Sequence, residues 1–266
     1  MILAERQTRL QELLAKKGIS DLDTLARELN VSQSTVRRDV ESFEQRGLVR
    51  RTHGGVIWVG ERNGDRNGAS RPYAFDQRMD YRLEAKRQIA RAARGLVQPN
   101  ETVLLDGGTT VYYLAEELVG APLQLVTNSL PIANLFLNDE RVELIITGGL
   151  MYPRYGVMLG PTAERMLETI HTKTMFLSVA GVHAGALYNQ NLLLVEAERK
   201  MMQQAQQVVL LVDSSKFGQQ ALAPLCALGE IDVVVSDADL SEEHREQVRR
   251  AGCQLMIADA AGVDAA

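Results

Sequence analysis

Residues 32–40 read SQSTVRRDV and residues 47–56 read GLVRRTHGGV, and these two stretches decide the fold of the N-terminal part of the chain. From the first stretch onward, Val36, Val40 and Phe43 fall at i, i+4 and i+7, the spacing that places side chains on one face of a helix. In the second, apolar and polar residues alternate on both sides of two adjacent glycines, which is typical of a β-hairpin. Together they predict a helix followed by a two-stranded hairpin.

The residues before this helix predict two more helices. Ser32 stands in the N-cap position of the helix just described, and a tight turn at Asn30 and Val31 separates it from the helix before. Two apolar stripes at helical spacing complete the pattern, and their members are Leu10, Leu13, Leu14, Leu22, Leu25, Ala26 and Leu29. Three short helices and a hairpin within residues 1–59 predict a winged helix-turn-helix domain.

In such a domain the third helix enters the major groove of DNA and the hairpin forms a wing beside it. The predicted DNA-binding residues supply donors and acceptors for base edges and phosphates, and they are Gln33, Ser34, Thr35, Arg37, Arg38, Arg50, Arg51 and His53. Asp39 is expected to orient one of the arginines through an ion pair. The alternative is a helical bundle whose arginines are only solvated.

The overall charge argues against a nucleic-acid partner, because the formal net charge is −5. The first 58 residues, however, hold ten Lys and Arg against eight Asp and Glu, so they carry +2 and the remainder carries −7. Residues 46–58 contain basic residues and no acid, which suits DNA phosphates. The prediction of a double-stranded DNA operator as partner therefore rests on the order of the motifs and not on the overall charge.

The N-terminus is charged and amphipathic, which is not typical of a signal peptide. Apolar runs stay shorter than the roughly 18 residues that a membrane span needs. A cytoplasmic protein without a membrane partner is therefore expected.

Residues 60–72 read GERNGDRNGASRP, a composition typical of a linker, and we extend the predicted linker to residues 60–80. A helical stretch follows, and from residue 101 short apolar runs alternate with helical periods. Continuous apolar strands between amphipathic helices predict a mainly parallel sheet that helices cover on both faces. The expected fold class is α/β, with an effector-binding and oligomerisation domain over residues 81–260.

Polar or glycine-rich residues follow four of the predicted strands. Open parallel sheets bind ligands at the carboxyl ends of their strands, where glycines and helix N-termini favour an anion. The predicted effector-binding residues are Asp106, Gly108, Thr109, Thr110, Asn128, Ser129, Gly148, Gly149, His183 and Lys216. Further candidates are Tyr152, Arg154, Tyr155, Glu198 and Lys200. The alternative is that these segments are ordinary β–α turns with capping residues and that the side chains of Glu198 and Lys200 are solvated.

The SQSTVRRDV helix, the GLVRRTHGGV hairpin and residues 6–14 resemble the signature of DeoR/GlpR-type bacterial regulators, and the resemblance extends over nearly the whole chain. The sensor domain of that family is similar in fold to ribose-5-phosphate isomerase. The resemblance implies a homo-oligomeric repressor of a carbohydrate-metabolism operon with a phosphorylated sugar or related metabolite as effector. The resemblance assigns effector binding to all of the predicted effector-binding residues except Ser129 and His183. The sequence departs from the family at Thr174, where an acidic residue is usual, so effector identity does not transfer.

Two alternatives from other classes stay open at this point. The first is a sugar-phosphate isomerase with an appended DNA-binding domain; residues 179–186, where such enzymes carry acidic residues, have no carboxylate, although Asp106 and Glu198 are conceivable bases. The second is an architectural DNA-binding protein whose C-terminal half only oligomerises. We predict a non-enzyme without catalytic residues, metal site or cofactor.

Overall fold

A computed structural model describes residues 3–17, 19–45, 48–52, 55–58, 75–258 and 263–265 of the 266-residue chain. The chain divides into two compact units, Met1–Ser70 and Arg71–Ala266. Among the helices that the structure describes, none combines the length and the apolar composition that crossing a lipid bilayer requires.

The first unit contains three helices and a small antiparallel sheet. Its elements are α1 (Leu3–Lys17), β1 (Ile19–Ser20), α2 (Leu22–Leu29), α3 (Gln33–Gln45), β2 (Val49–Thr52) and β3 (Gly55–Trp58). Strands β2 and β3 form the predicted hairpin, and β1 pairs with the other side of β3. Asp21 caps α2 by accepting a hydrogen bond of 2.8 Å from the backbone N–H of Thr24.

The core of this unit lies where the helical spacing predicts it. Its buried side chains are Leu10, Leu14, Leu25, Leu29, Val36, Val40, Phe43, Val49 and Val56. All three helices and the hairpin contribute to this cluster, so burial of apolar area fixes the hairpin against the bundle.

The second unit is an α/β domain. Its helices are α4 (Phe75–Met79), α5 (Leu83–Arg94), α6 (Thr109–Leu118), α7 (Leu130–Leu135), α8 (Pro161–Leu167), α9 (Leu192–Gln203) and α10 (Glu242–Arg250). Its strands are β4 (Thr102–Leu105), β5 (Leu123–Thr127), β6 (Val142–Ile146), β7 (Leu150–Tyr152), β8 (Val157–Leu159), β9 (Thr172–Leu177), β10 (Gly181–His183), β11 (Ala186–Asn189), β12 (Ala205–Leu211), β13 (Ala223–Ala227), β14 (Val233–Asp237), β15 (Gln254–Ala258) and β16 (Val263–Ala265).

Eight of these strands form one sheet in the order β16-β15-β14-β12-β9-β4-β5-β6. All neighbours in it are parallel except β15 and β16. One apolar cluster packs α5 and α6 on one face, and a second packs α8, α9 and α10 on the other. The mainly parallel sheet with helices on both faces is confirmed.

Two small antiparallel sheets were not predicted. Strands β7 and β8 form a hairpin, and β10, β11 and β13 form a three-stranded sheet. Both arise from segments between strands of the main sheet, and β13 lies in an apolar run at residues 221–228 that was not predicted as a strand.

The segment after residue 74 also differs from the prediction. Residues 75–79, which the sequence places in the linker, form α4, and the buried ring of Phe75 contacts Tyr112 edge-on at 5.7 Å between centroids. The helix predicted from Tyr81 begins instead at Leu83, because Arg82 adopts a left-handed conformation with φ of 54°. The rest of the predicted linker, residues 60–74, lies outside the described residues.

Candidate functional site

Helix α3 presents a polar face to solvent. Its apolar residues are buried in the core of the first unit, whereas Gln33, Ser34, Arg37 and Arg38 are exposed and Thr35 is half-buried. None of the hydrogen bonds among the described residues engages the side chain of Arg37 or Arg38. Both guanidinium groups are therefore available to a partner.

The turn between α2 and α3 is held by short polar contacts. The Ser32 hydroxyl lies 2.8 Å from Thr35 Oγ1 and accepts a hydrogen bond of 3.3 Å from the Thr35 backbone N–H, so it caps α3 as predicted. Gln33 Nε2 donates to Asp23 Oδ1 at 2.9 Å. This bond engages the amide nitrogen of Gln33 and leaves Oε1 without a hydrogen-bond partner among the described residues.

Asp39 does not orient an arginine of α3, so that prediction is wrong. Its buried carboxylate accepts from Arg6 of α1, with 2.6 Å to Arg6 Nε and 3.3 Å to Nη2. The two parallel bonds join α1 to α3 and leave the exposed arginines of α3 unpaired within the described residues.

At the predicted DNA contacts of the wing, the structure describes the backbone of Arg50 and Arg51 but not their side chains. Arg50 and Arg51 lie in β2 opposite Ile57 and Val56 of β3. Their side chains, and His53 as a whole, lie outside the described residues, so their role as DNA contacts stays a prediction.

In the second unit, the parallel strands bring most of the predicted effector residues to one edge of the sheet. Asp106 and Gly108 follow β4, Asn128 and Ser129 follow β5, and Lys216 follows β12. Gly148 and Gly149 follow β6, and Thr109 and Thr110 open α6 with both side chains buried. These residues therefore share the carboxyl edge of the sheet.

Asp106 is the buried centre of this edge. The backbone N–H groups of Gly107, Gly108 and Ser178 bond to its carboxylate and favour the charged form, but burial is the larger effect and raises the pKa of Asp106 to about 6. A Cβ on Gly108 would stand 1.7 Å from the Ser178 hydroxyl oxygen. A side chain here would force Ser178 to move, because β4 and the segment after β9 pack closely, so the glycine has a packing reason that is independent of any ligand.

A second buried carboxyl group, Glu198 of α9, lies within electrostatic range of Asp106. Asn189 Nδ2 donates to Glu198 Oε1 at 2.6 Å, and Oε2 has no hydrogen-bond partner among the described residues. Burial, and next the charge of Asp106, raise the pKa of Glu198 well above its ordinary value. Of the further candidates, Glu198 thus joins the site, whereas Lys200 pairs with Glu168 at 2.7 Å on the surface.

Arg78 of α4 brings a cation to the same group of residues. Its guanidinium carbon lies 4.6 Å from the ring centroid of Tyr155 and 5.8 Å from that of Phe75. Burial lowers the pKa of Arg78, and the charges of Tyr155 and Asp106 oppose that effect. Its Nε and Nη2 atoms are buried and have no hydrogen-bond partner among the described residues. These two nitrogens form the edge of the guanidinium that grips two oxygens of one anion.

Lys86 of α5 is a second buried cation near Arg78. Its ammonium donates to the backbone carbonyl of Arg78; the charge of Asp213 favours its protonated form, and the positive charges of Lys216 and Arg78 oppose that effect. Burial is the largest effect and lowers the pKa of Lys86 to about 8. A bound anion would offset both the burial and the mutual repulsion of these cations.

Arg82, between Arg78 and Lys86 along the chain, holds the loops after β12 and β14. Its Nη2 lies 2.6 Å from Asp237 Oδ2 and donates to the Ser214 hydroxyl at 2.8 Å. The same loop carries Lys216, whose Nζ lies 5.3 Å from the ring centroid of Tyr81. Arg82 therefore positions the Lys216 loop against the start of α5.

His183 lies apart from these residues. It is exposed at the end of β10 and lines a groove with Ala184, Gly218, His244 and Arg250, which contains none of the other predicted effector residues. The structure therefore does not bring His183 into the group around Asp106.

Comparison with known proteins agrees with this two-part organisation. The family described as "DeoR-like helix-turn-helix domain" matches residues 6–62, and the "DeoR C terminal sensor domain" matches residues 82–238. The chain belongs to the DeoR family. As a DeoR-family protein it is a transcriptional regulator that binds DNA through its helix-turn-helix domain and a small-molecule effector through its sensor domain.

Two relatives show how far the similarity to DeoR-family regulators extends. The "HTH-type transcriptional regulator UlaR" of Shigella sonnei (strain Ss046) is 31% identical over 257 residues, which cover 96% of this chain and 99% of that protein. The "Uncharacterized HTH-type transcriptional regulator YulB" of Bacillus subtilis (strain 168) is 29% identical over 242 residues, with 90% and 91% coverage. Ribose 5-phosphate isomerase A of Methanocaldococcus jannaschii is a structural neighbour at 18% identity and a TM-score of 0.38, covering 51% of this chain and 54% of that one.

The sequence-based predictions omitted Arg78, Arg82 and Lys86 of the second unit, although these residues recur every fourth position. Lys86 gave a usable signal, because it interrupts the apolar stripe that runs from Leu83 to Ile89 and Ala90. A lysine inside such a stripe is either mispacked or functional. Arg78 gave no comparable signal, because it lies in a five-residue helix next to the linker.

Lys86→Met is expected to stabilise the unliganded protein at pH 7 by about 1–3 kcal/mol, because it removes a buried charge while keeping the volume of the side chain. The pKa of Lys86 is about 8 when folded and 10.5 ordinarily, so the unfolded chain binds its proton more tightly. The destabilisation is therefore complete below pH 8 and fades as the pH rises toward 10.5. Urea unfolding of both proteins from pH 7 to 10.5 measures this. A variant that is less stable at pH 7, with an unchanged pH dependence, would contradict it.

Proposed function

We propose that this regulator represses a carbohydrate-metabolism operon and that a phosphorylated sugar or related metabolite controls its affinity for the operator. The observation that carries the proposal is the buried Nε and Nη2 edge of Arg78, which has no hydrogen-bond partner among the described residues and lies within electrostatic range of Asp106. An unpaired buried donor is costly, and a tetrahedral anion with several oxygens satisfies both nitrogens at once.

The charges around Arg78 support an anionic ligand. Lys86 lies within electrostatic range of Arg78 and Lys216, and also of Asp213, whose negative charge acts on it more strongly than either cation does. Repulsion between the three cations favours a negatively charged group beside them. Backbone N–H groups at the start of α6 add a partial positive charge, which also favours an anion.

The position of Arg78 also supports a route for regulation. Helix α4 is the first described element after residues 59–74, the part of the chain that leads from the DNA-binding unit. We propose that an anion on Arg78 fixes α4 and, through the covalent connection, changes the placement of the DNA-binding units in a homo-oligomer on repeated half-sites. The operator affinity of the liganded form is then lower.

The residues present favour a sensor over an isomerase. A catalytic base must be placed to take a proton from carbon. Residues 179–186, where such isomerases carry acidic residues, have no carboxylate, and three backbone N–H groups bond to the Asp106 carboxylate. We therefore propose that Asp106 and Glu198 contact the ligand without catalysis and that the protein is not an enzyme.

A thermal-unfolding screen tests the proposed effector class. Pentose and hexose monophosphates are expected to raise the unfolding temperature, because a ligand at 100 times its Kd adds about 2.7 kcal/mol to the stability of the folded form. The matched unphosphorylated sugars serve as controls and should leave it unchanged. If the phosphorylated and unphosphorylated members of every pair behave alike, the proposal of a phosphosugar sensor is wrong.

A further inference from the structure

The hydrogen bond between Asp23 and Gln33 holds a side chain of α3 from the preceding helix. Gln33 is the first residue of α3 and is exposed, and Asp23 lies in the first turn of α2. Gln33 Nε2 donates to Asp23 Oδ1 at 2.9 Å, across ten positions of the chain. The contact therefore spans the turn between the two helices, at the end of α3 that a helix-turn-helix presents to base edges.

The chemistry of Asp23 determines which way the Gln33 amide points. A carboxylate only accepts hydrogen bonds, whereas a carboxamide has one accepting oxygen and one donating nitrogen. The amide must therefore turn Nε2 towards Asp23. Oε1 points away from that bond, and no hydrogen bond among the described residues engages it, so it is available to accept from a partner.

The negative charge of Asp23 does not itself favour DNA. A carboxylate beside a helix that enters the groove repels the phosphates, whatever the sequence of the DNA. Capping of α2 does not depend on Asp23 either, because Asp21 accepts the capping hydrogen bond from Thr24. The contribution of Asp23 to DNA recognition is therefore expected in the choice of base and not in overall affinity.

The major-groove edges of the four bases form two classes for a hydrogen-bond acceptor. Adenine and cytosine each carry an exocyclic amine that donates there, whereas guanine and thymine carry a carbonyl oxygen that accepts. An amide held with Oε1 outward accepts from the amine but opposes the carbonyl oxygen with another oxygen. An amide that rotates freely accommodates both classes, because it can present Nε2 instead.

We propose that Asp23 is a specificity-determining positioning residue: it fixes Gln33 as an acceptor, so that the protein selects adenine or cytosine over guanine or thymine at the base that Gln33 contacts. The inference rests on the orientation of α3 predicted from its sequence, with the N-terminal turn towards the base edges. It does not depend on the effector or on the proposed repressor function.

Selection from a duplex DNA library with a randomised segment, followed by sequencing, measures the base preference at each position of the bound site. For the wild-type chain we expect a position at which adenine and cytosine exceed guanine and thymine by at least about fivefold, and Gln33→Ala should abolish this preference. Asp23→Asn keeps the size of the side chain but offers a donor as well as an acceptor, so it no longer holds the Gln33 amide in one orientation. The preference at that position should fall below about twofold, and the preferences at other positions should stay unchanged.

Glu28→Gln is the matched control, because it also removes an exposed negative charge from α2. It should leave the preference at its wild-type value. In the Gln33→Ala background, Asp23→Asn should change no base preference, because Asp23 acts through Gln33. Ratios between bound sequences do not depend on the folded fraction of the protein, so a loss of stability does not imitate the expected result.

Three results would overturn the inference. The first is a wild-type site in which no position depends on Gln33, or in which that position prefers guanine or thymine. The second is a wild-type preference that persists in Asp23→Asn. The third is an equal loss of preference in Glu28→Gln, which would assign the effect to the charge of α2 and not to the orientation of the Gln33 amide.

Discussion

Arg78→Met is expected to weaken binding of a phosphorylated effector by at least about 100-fold, while the operator affinity of the unliganded protein stays unchanged. Two charge-assisted hydrogen bonds from the Nε and Nη2 edge contribute about 1.5 kcal/mol each, which together correspond to about two orders of magnitude in Kd. Methionine keeps the apolar stem that packs on Tyr155 and Phe75. The expected loss therefore reports on the guanidinium and not on the packing of α4.

Calorimetric titration of the effector into both proteins measures this loss. Arg91→Met is the matched control, because Arg91 lies on α5 with an exposed side chain that pairs with Glu117 at 3.9 Å. Equal effector affinity in wild-type protein and Arg78→Met, or an equal loss in Arg91→Met, would show that the anion does not bind at the buried edge of Arg78.

Arg37→Ala and Arg38→Ala are expected to weaken operator binding and to leave effector binding unchanged. Each should weaken operator binding by about 1–3 kcal/mol if its guanidinium reads a base, and the effector affinity should stay at the wild-type value. Both side chains are exposed on α3, so their removal leaves the core of Val36, Val40 and Phe43 intact.

Fluorescence anisotropy with operator and with unrelated DNA, at several salt concentrations, separates the two kinds of contact. A base-reading arginine affects the operator more than unrelated DNA, whereas a phosphate contact lowers both affinities and reduces the salt slope by about one. Arg9→Ala, an exposed arginine on α1, is the control. If neither α3 variant changes operator affinity, this helix does not face the groove in the proposed orientation.

The parts of the fold that follow from local pattern could be predicted from the sequence. Helical spacing identified the core face of α3 through Val36, Val40 and Phe43, and continuous apolar runs identified the strands of the parallel sheet. Because parallel strands end at a common edge, the residues that follow β4, β5, β6 and β12 could be grouped without coordinates. The small antiparallel sheets could not, because the local pattern does not specify which of their segments pair with one another.

The features that depend on tertiary contact escaped prediction. Asp39 pairs with Arg6, 33 residues away, and not with the neighbouring arginines that the sequence suggested. His183 lines a groove with His244 and Arg250 of α10, a neighbourhood that the sequence did not predict. Arg78 lies within electrostatic range of Asp106, which is distant in the chain, and nothing in its local sequence distinguishes it from a solvated arginine. The predicted linker and domain boundaries, and the assignments of individual binding residues, stay predictions.

Thermodynamic coupling between the two halves of the chain tests the proposed regulation most directly. Calorimetric titration of the effector into the free protein and into its operator complex gives two dissociation constants. If effector and operator bind opposing states, the effector binds the operator complex more weakly than the free protein. The factor should equal the one by which saturating effector weakens operator binding, and we expect it to lie within about 5–150-fold. Equal effector affinity in the presence and absence of operator would contradict the claim that the anion site regulates DNA binding.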